Sequence, residues 1–391
     1  MIIPGFKFSG ISAGIKKTKK KDLALIVSES MAVAAGVFTS NKIKAAPVHL
    51  DIERIRSRKG LAIIINSGNA NACTGLQGLK DAKKMAFVTA RELGIHPELV
   101  YVASTGIIGR PLPMKKFKKA VPRAVKKLSA KSINDAATAM MTTDTFSKIF
   151  SKKIKISGKT GTIAGIAKGA GMISPDMATM LCFLFTDIVI DANALDSALR
   201  KAVKKSFNRL IIDNDMSTND TVLIMANSRL KNSLIKKNSR SYLKFENALS
   251  EVTYNLSKMI AMDAEGATKL IEINVKRART ESDADKVSRA IANSLLVKTT
   301  LYGENPNWGR IMAAIGYAGI EIKEQKINIY INNFKVVNKG IGTHRDRVLK
   351  NLLSKKEITI AVDLGLGRKQ AKVLTCDLTE KYVKINASYV T

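Results

Sequence analysis

The chain has 391 residues, of which 46% are hydrophobic and 25% are charged, the composition of an ordinary folded protein. This length allows a large core and favours two domains or lobes, and the composition excludes disordered, collagen-like and coiled-coil proteins. Basic residues exceed acidic residues by 33, which would suit either an anionic substrate or a nucleic-acid partner.

Strands and helices are mixed along the chain without a strict alternation. Short apolar runs rich in β-branched residues predict strands at 23–27, 61–65, 183–190, 222–226, 270–275, 327–331 and 358–364. Apolar residues at helical spacing predict helices at 79–93, 112–129, 192–209, 246–261, 284–297 and 345–353. The mixture favours α+β layers over a doubly wound parallel sheet, with a smaller C-terminal lobe beginning near 278.

The predicted helix at 192–209 shows the clearest local signals. Leu195, Leu199, Val203 and Phe207 form one apolar stripe, and Asp191 is placed to cap the first turn.

The basic residues concentrate in four separate runs, 16–21, 115–127, 201–205 and 231–237. In the second run, Phe117 and Val121 recur at helical spacing and leave the lysines for the outer face. Few aromatic residues interleave these runs, although binding of single-stranded nucleic acid uses aromatic stacking. We therefore interpret the runs as solvated surface and expect no nucleic-acid partner; a nucleic-acid-binding module remains an alternative that rests on charge alone.

Membrane insertion and secretion have no signal in the sequence. The uncharged run at 60–79 is interrupted by asparagines and glycines, so no transmembrane helix is expected. The opening MIIPGFKFSG lacks a basic segment followed by an apolar block, and the cytoplasm is the expected location.

Cysteine and histidine are too sparse to indicate a disulfide frame or a metal site. Cys73, Cys182 and Cys376 show no CxxC spacing and are interpreted as reduced structural thiols. The chain has only three histidines, so a histidine-dependent triad is poorly supplied.

The segment KGAGMISPDMATMLCFLFTD, 168–187, breaks the local pattern most strongly. Lys168 precedes two glycines, whereas the lysine of a phosphate-binding P-loop follows them. Ala178 and Thr179 then lead into an apolar strand. The alternative interpretation is a loop that enters a buried strand, in which Thr179 is only a β-branched residue.

A second candidate is ASTGIIGR, 103–110, in which Thr105 offers a hydroxyl and Gly106 an unhindered backbone N–H. Two such donors could form an oxyanion hole. Taken alone, the segment is equally a strand-to-helix turn with a capping hydroxyl.

The Asn- and Gly-rich run 66–75 favours a structural loop. Further compact polar stretches lie at 141–145, 213–221, 263–269, 303–310 and 386–391.

Together and in this order, these segments resemble the ornithine acetyltransferase family, the glutamate N-acetyltransferases of the cyclic arginine pathway. The resemblance extends from KAAPV, 44–48, to the last residue, and the block around Ala178 and Thr179 is its most specific part. It implies a four-layer αββα sandwich with a smaller C-terminal α/β lobe. It also implies no cofactor and a heterotetramer of two α and two β chains.

The family cleaves itself, and the resemblance places the cut between Ala178 and Thr179. Chains 1–178 and 179–391 would result, with Thr179 as the first residue of the second. The new α-amine, with an ordinary pKa of about 7.7–8.0, can act as the base for the hydroxyl of the same residue. No histidine is then required.

The resemblance also implies a ping-pong reaction, in which Thr179 takes acetyl from N-acetylornithine and passes it to glutamate. Thr105 and Gly106 match the oxyanion hole. Lys168 matches a substrate-binding lysine that can pair with an α-carboxylate and lower the pKa of the Thr179 amine. The other matched substrate positions are Thr142, with Thr143 as its alternative, Glu265, Asn386 and Thr391. Glu265 would meet the side-chain ammonium of ornithine.

Two questions stay open at this stage. Acetyl-CoA could be a second acetyl donor, and the same nucleophile could instead pass the acyl group to water, as in an aminopeptidase or amidase.

The chain also departs from the usual family pattern at a few positions, namely Ala264, Asn305, Ser388 and Val390. The last two remove an ion pair from the tail.

Overall fold

The computed structural model describes residues 1–174 and 180–388, with only the backbone at 346. Within these ranges the strands are β1 Phe6–Ile11, β2 Leu23–Phe38, β3 Lys59–Asn69, β4 Val100–Ile107, β5 Lys148–Ile156, β6 Lys159–Lys168, β7 Leu181–Thr186, β8 Thr221–Ala226, β9 Leu270–Ala278, β10 Asn328–Ile331, β11 Phe334–Asn338, β12 Ile341–Gly342, β13 Glu357–Asp363 and β14 Lys369–Cys376. The helices are α1 Ala46–Arg54, α2 Gly75–Leu93, α3 Met114–Lys126, α4 Ile133–Met140, α5 Ala192–Lys205, α6 Arg240–Met262, α7 Glu281–Asn293, α8 Leu295–Tyr302, α9 Gly309–Gly316, α10 Asp346–Leu353 and α11 Glu380–Ser388.

The long strand β2 connects two layers of the first sheet. The strand order is β4-β3-β2-β8-β7-β6-β5, and β1 pairs with the first half of β2. The first half of β2 also pairs with β3, the pairing shifts register between Val27 and Ala32, and the second half pairs with β8. One layer therefore contains β1, β3 and β4, and the other contains β5 to β8.

Alternating side chains show that these two layers face each other. Ile63 of β3 and Phe183 of β7 share one inner core. The next residue of β3, Ile64, faces the helices α2 and α3. The next residue of β7, Leu184, faces α5 and α6. The result is the four-layer αββα sandwich that the family resemblance implies.

The smaller C-terminal lobe is built on a second sheet with the order β12-β11-β10-β13-β9-β14. Its core includes residues of α7, α8, α9 and α10. This sheet begins at Leu270, so the predicted break near 278 falls at the end of β9 and the lobe starts one strand earlier.

Each predicted element overlaps an observed one, but the predicted helix 284–297 divides at Ser294 into α7 and α8, and the predicted strand 183–190 already ends at Thr186. Helix α5 illustrates the agreement. The Asp191 carboxylate accepts hydrogen bonds from the backbone N–H groups of Asn193 and Ala194, at 2.9 and 3.1 Å, which confirms the cap. The helix ends at Lys205, earlier than predicted, and Phe207 lies buried in a short 3-10 turn.

The basic runs are mostly solvated, as predicted. In α3, Phe117 and Val121 are buried while Lys115 and Lys118 are exposed. Lys16 departs from the prediction because its ammonium donates to the carbonyl of Met141 at 2.6 Å and burial lowers its pKa to about 8.

Two of the three cysteines are structural. Cys182 and Cys376 lie buried in the core against α5 and α6, and burial raises the pKa of both thiols. Cys73 is exposed, so the expectation of three structural thiols is wrong for this residue.

None of the described helices combines the length and the apolar character needed to cross a bilayer.

Candidate active site

A cleft lies where the C-terminal ends of β4 and β6 approach each other. Its lining comes from these two strands and from the loops that the sequence analysis singled out. The lining residues are Ala70, Thr105, Gly106, Ile108, Thr142, Thr143, Lys168, Gly171, Met172, Ser217, Asn219, Glu265 and Asn386.

Gly106 can only be glycine at its position near the end of β4. Its φ of +131° is disfavoured for residues with a side chain. A Cβ at Gly106 would also lie 2.4 Å from the carbonyl carbon of Gly68 and 2.5 Å from the backbone nitrogen of Asn69. The close parallel pairing of β3 with β4 thus leaves the Gly106 backbone free of a side chain beside the Thr105 hydroxyl. Thr105 lies inside strand β4, and the next helix along the chain begins only at Met114, so the helix-cap interpretation of this segment is wrong.

Lys168 is a buried ammonium at the end of β6, with 3% of the residue exposed. Its Nζ lies 3.4 Å from Oγ1 of Thr105, to which it donates. Burial lowers the pKa of Lys168, the negative charge of Asp144 opposes this shift, and the positive charge of Lys148 adds to it. Among the described side chains, no carboxylate forms a salt bridge with Lys168, so its charge remains available to an anionic group in the cleft.

A buried ion network supports the loop 141–145 beneath the cleft. The Lys148 ammonium lies 2.7 Å from a carboxylate oxygen of Asp144 and 2.5 Å from one of Asp263. Asp144 also accepts from the backbone N–H groups of Thr142 and Gly169, at 2.9 and 2.7 Å. Burial alone would raise the pKa of Asp144, but the charges of Lys168 and Lys148 hold it well below its usual range. The network fixes the loop against β5, β6 and the end of α6.

Replacing Lys148 with methionine is expected to destabilise the protein by about 3–5 kcal/mol, because two buried carboxylates lose their shared cation. Urea unfolding followed by circular dichroism measures the change. The matched control is Lys152→Met on the same strand, whose pair with Glu251 is exposed and contributes less than about 1 kcal/mol. Equal losses in the two variants would contradict the role assigned to the buried network.

Glu265 forms another wall of the cleft together with the C-terminal helix α11. Its Oε2 accepts a hydrogen bond from Nδ2 of Asn386 at 2.9 Å, and its backbone N–H donates to the carbonyl of Ala170 at 2.9 Å. A Cβ at Gly171 would lie 2.4 Å from the same Oε2, so the glycine permits the carboxylate to approach this loop. Thr142 and Thr143 both line the cleft, and the alternative between them stays open.

Six of the residues proposed from the sequence therefore line one cleft: Thr105, Gly106, Thr142, Lys168, Glu265 and Asn386. Ala178, Thr179 and Thr391 lie outside the described residues. The motif 303–310 lies elsewhere, in the C-terminal lobe, where Trp308 packs on the second core.

Several lining residues carried no assignment from the sequence. Nδ2 of Asn219 donates to the carbonyls of Ala70 and Ser104, at 2.7 and 2.9 Å, and so ties the run 213–221 to β4 and to the loop after β3. The signal was the density of Asp, Ser, Thr and Asn in 213–221. The loop predicted for 66–75 is confirmed only for 70–74, because 66–69 are the end of strand β3 and Gly75 begins α2. Nδ2 of Asn71 donates to the carbonyl of Gly78 at 2.9 Å and so ties this loop to the helix.

In the part of the chain that the structure describes, no group of three or more His, Cys, Asp or Glu residues could hold a metal ion. The three histidines are also absent from the lining of the cleft.

Comparison with known proteins places this chain in one family. A sequence model of the ArgJ family matches residues 7–391. The arginine biosynthesis bifunctional protein ArgJ of Geobacter sulfurreducens is 46% identical over 393 residues, covering 100% of both chains. The protein of the same name from Caldanaerobacter subterraneus subsp. tengcongensis is 48% identical over 392 residues, covering 99% of this chain and 97% of the relative.

A solved structure agrees with these sequence relatives. The crystal structure of the arginine biosynthesis bifunctional protein ArgJ from Bacillus halodurans is 38% identical, with a TM-score of 0.52. The match covers 53% of this chain and 98% of the solved one. Sequence similarity over the full length and a shared structure lead to one conclusion: the chain belongs to the ArgJ family.

Proposed function

We propose that this protein is a self-processing acetyltransferase of arginine biosynthesis, which moves acetyl from N2-acetylornithine to glutamate through an acetyl ester on Thr179. The observation that carries the proposal is the chemistry of one cleft. It combines a buried ammonium, Lys168, with a carboxylate, Glu265, and with the hydroxyl and backbone N–H of Thr105 and Gly106.

The charges of the cleft suit amino-acid substrates. Acetylornithine and glutamate both carry an α-carboxylate, which the buried ammonium of Lys168 would bind. The side chain of ornithine ends in an ammonium, which the Glu265 carboxylate would bind while Asn386 holds that carboxylate in place. Thr142 or Thr143 and the tail residue Thr391 would complete the contacts with the substrate.

The Thr179 hydroxyl attacks the acetyl carbonyl carbon, and its proton passes to the α-amine of the same residue. Negative charge develops on the carbonyl oxygen, which the Thr105 hydroxyl and the Gly106 N–H stabilise. Lys168 already donates to Thr105 Oγ1, so the hydrogen of that hydroxyl is free to point at the oxyanion. The carbon–nitrogen bond then breaks and ornithine leaves with the proton. The amine of glutamate attacks the ester, and N-acetylglutamate departs as Thr179 regains its hydroxyl hydrogen.

The two chains of the mature enzyme would be 1–178 and 179–391, after cleavage between Ala178 and Thr179. The match to the Bacillus halodurans chain supports this division, because nearly all of that solved chain corresponds to only 53% of the present one. We further propose a heterotetramer of two α and two β chains, a cytoplasmic location, small-molecule substrates without a resident cofactor, and no nucleic-acid or membrane partner.

A second acetyl donor follows from the same chemistry. The name "bifunctional" of the relatives supports an additional reaction, in which the Thr179 hydroxyl takes acetyl from acetyl-CoA and glutamate again accepts it. An assay of acetyl-CoA with glutamate, with acetylornithine as the control donor, tests this part of the proposal.

Release of ornithine from acetylornithine is expected to depend strongly on glutamate. The acyl-enzyme should pass its acetyl group to the amine of glutamate much faster than to water, because a bound acceptor is held in position for attack. Chromatography of the products with and without glutamate measures the ratio. If ornithine appears at the same rate without glutamate, the enzyme is an amidase of the same architecture and the transferase proposal is wrong.

A further inference from the structure

The run 213–221, DNDMSTNDT, contacts the chain on both sides of the segment 175–179. It connects the turn after α5 to the start of β8. Asp213 near one end of this run bonds to residues that precede the segment, and Asp220 near the other end bonds to the residue that follows it. The proposed function gives neither aspartate a role.

Asp213 holds the chain before the segment with both carboxylate oxygens. Oδ2 accepts from the backbone N–H of Met172 and Oδ1 from that of Ile173, both at 2.7 Å. The backbone N–H of Ile212 donates to the Ile173 carbonyl at 2.9 Å, which adds a third bond between the two stretches. Met172 has a φ of +57°, a left-handed conformation that is disfavoured for a residue with a side chain. The bonds from Asp213 therefore stabilise a backbone shape that the sequence alone would not favour.

Asp220 holds the chain after the segment. Its Oδ1 accepts from the backbone N–H of Met180 at 2.9 Å, and the residue is 1% exposed. Met180 directly precedes β7, which pairs in parallel with β8 from Leu181 and Thr221 onward. The bond thus extends the pairing of the two strands by one residue, toward the proposed cleavage site. Burial raises the pKa of Asp220 well above its usual range, although the charge of Lys168 opposes the shift.

We propose that Asp213 and Asp220 are positioning residues for self-processing, which together fix both ends of the segment that contains the Ala178–Thr179 bond. This inference rests on the proposed function, because it assumes that the chain cuts itself there. In self-processing the Thr179 hydroxyl attacks the Ala178 carbonyl carbon, and the carbon–nitrogen bond between the two residues breaks to leave an ester and a free Thr179 amine. Water then hydrolyses the ester, which frees the carboxylate of Ala178 and restores the hydroxyl. The attack requires a defined approach, and a misplacement of about 1 Å can slow a reaction roughly 100-fold. In general, hydrogen bonds on both sides of a chain segment leave it far fewer conformations than bonds on one side alone.

The two aspartates should respond differently to asparagine. Both oxygens of Asp213 accept a backbone N–H, and an amide can offer only one acceptor, so Asp213→Asn places an NH2 group against an N–H. Asp220 accepts this bond through one oxygen, which the amide oxygen of asparagine can replace, so Asp220→Asn keeps the bond to Met180. Asp220→Ala removes it.

The test follows processing of newly made full-length protein during cell-free synthesis, on denaturing gels over time. We expect Asp213→Asn and Asp220→Ala to process about 100-fold more slowly than the wild type, because a misplacement of the reacting atoms by about 1 Å slows a reaction by about that factor. Asp220→Asn should process at close to the wild-type rate. The matched control is Asp215→Asn in the same run, since Asp215 is exposed.

Wild-type processing rates in both Asp213→Asn and Asp220→Ala would overturn the inference, as would equal slowing in Asp220→Asn and Asp220→Ala. Thermal unfolding of each uncut variant shows whether it folds cooperatively. Because the two aspartates hold opposite ends of the segment, either variant decides the question if the other fails to fold. Failure of the wild type itself to process would instead contradict the proposed function.

Discussion

Thr179→Ala is expected to remain one full-length polypeptide and to lose acetyl transfer by roughly ten-thousand-fold or more. The substitution removes the hydroxyl that we propose attacks both the preceding peptide bond and the acetyl donor. Without the cut, the α-amine that serves as base never forms. Losses of this size are typical when the nucleophile of an acyl-transfer enzyme is removed. A denaturing gel and an acetylornithine–glutamate exchange assay measure the two effects.

Thr179→Ser is the matched control, because serine keeps a hydroxyl and, after cleavage, an α-amine on the same residue. This variant should still give two chains and measurable transfer. Two chains in Thr179→Ala, or near-normal transfer by that variant, would remove Thr179 from the mechanism.

Lys168→Met is expected to lower kcat/KM for acetylornithine and for glutamate by about 100- to 1000-fold. The substitution removes the buried ammonium that we propose pairs with the α-carboxylate common to both substrates. Loss of one partner of a buried charge pair costs about 2–5 kcal/mol, which brackets this range. Steady-state kinetics with each substrate varied in turn measures the effect. Full kcat/KM in Lys168→Met would contradict the assignment.

The lowered pKa of Lys168 adds a pH dependence to this prediction. Burial lowers the pKa, so the ammonium loses its proton at a pH below the ordinary lysine value of about 10.4. Below the lowered pKa Lys168 is fully charged and substrate affinity should be at its highest. The affinity should weaken as the pH rises through that pKa. Lys168→Arg keeps its charge throughout this range, so its KM should stay flat there even if it is higher overall. An unchanged alkaline rise of KM in Lys168→Arg would assign the titration to another group.

Local patterns in the sequence are sufficient to predict the central elements of the fold. The apolar run around Ile64 predicts strand β3. The cap at Asp191 and the apolar stripe that follows it predict helix α5. Strand β5, KIFSKKIKI, was not predicted, because the neighbouring pairs Ile149-Phe150 and Lys152-Lys153 interrupt the strict alternation that indicates a half-buried strand. The passage of β2 between two layers could not be predicted either, since the register shift after Val27 depends on partners distant in the sequence. The four-layer arrangement came from the family resemblance.

The candidate site shows the same limit. Thr105 and Lys168 are 63 positions apart, and no local sequence pattern predicts the hydrogen bond between their side chains. The resemblance brought them together as an expectation. The ion network of Asp144, Lys148 and Asp263 was not predicted, because Lys148 looks like one more surface lysine until its burial is known. Burial of a charge depends on tertiary packing, which composition and spacing do not show.

One measurement bears most directly on the whole account: intact-mass and peptide analysis of the purified protein before and after acetylornithine is added. We expect two chains, the second beginning with a free amine on Thr179, and a gain of one acetyl group on that residue that glutamate removes. An undivided chain that still exchanges acetyl between the two amino acids, or an acetyl group carried on another residue, would contradict it.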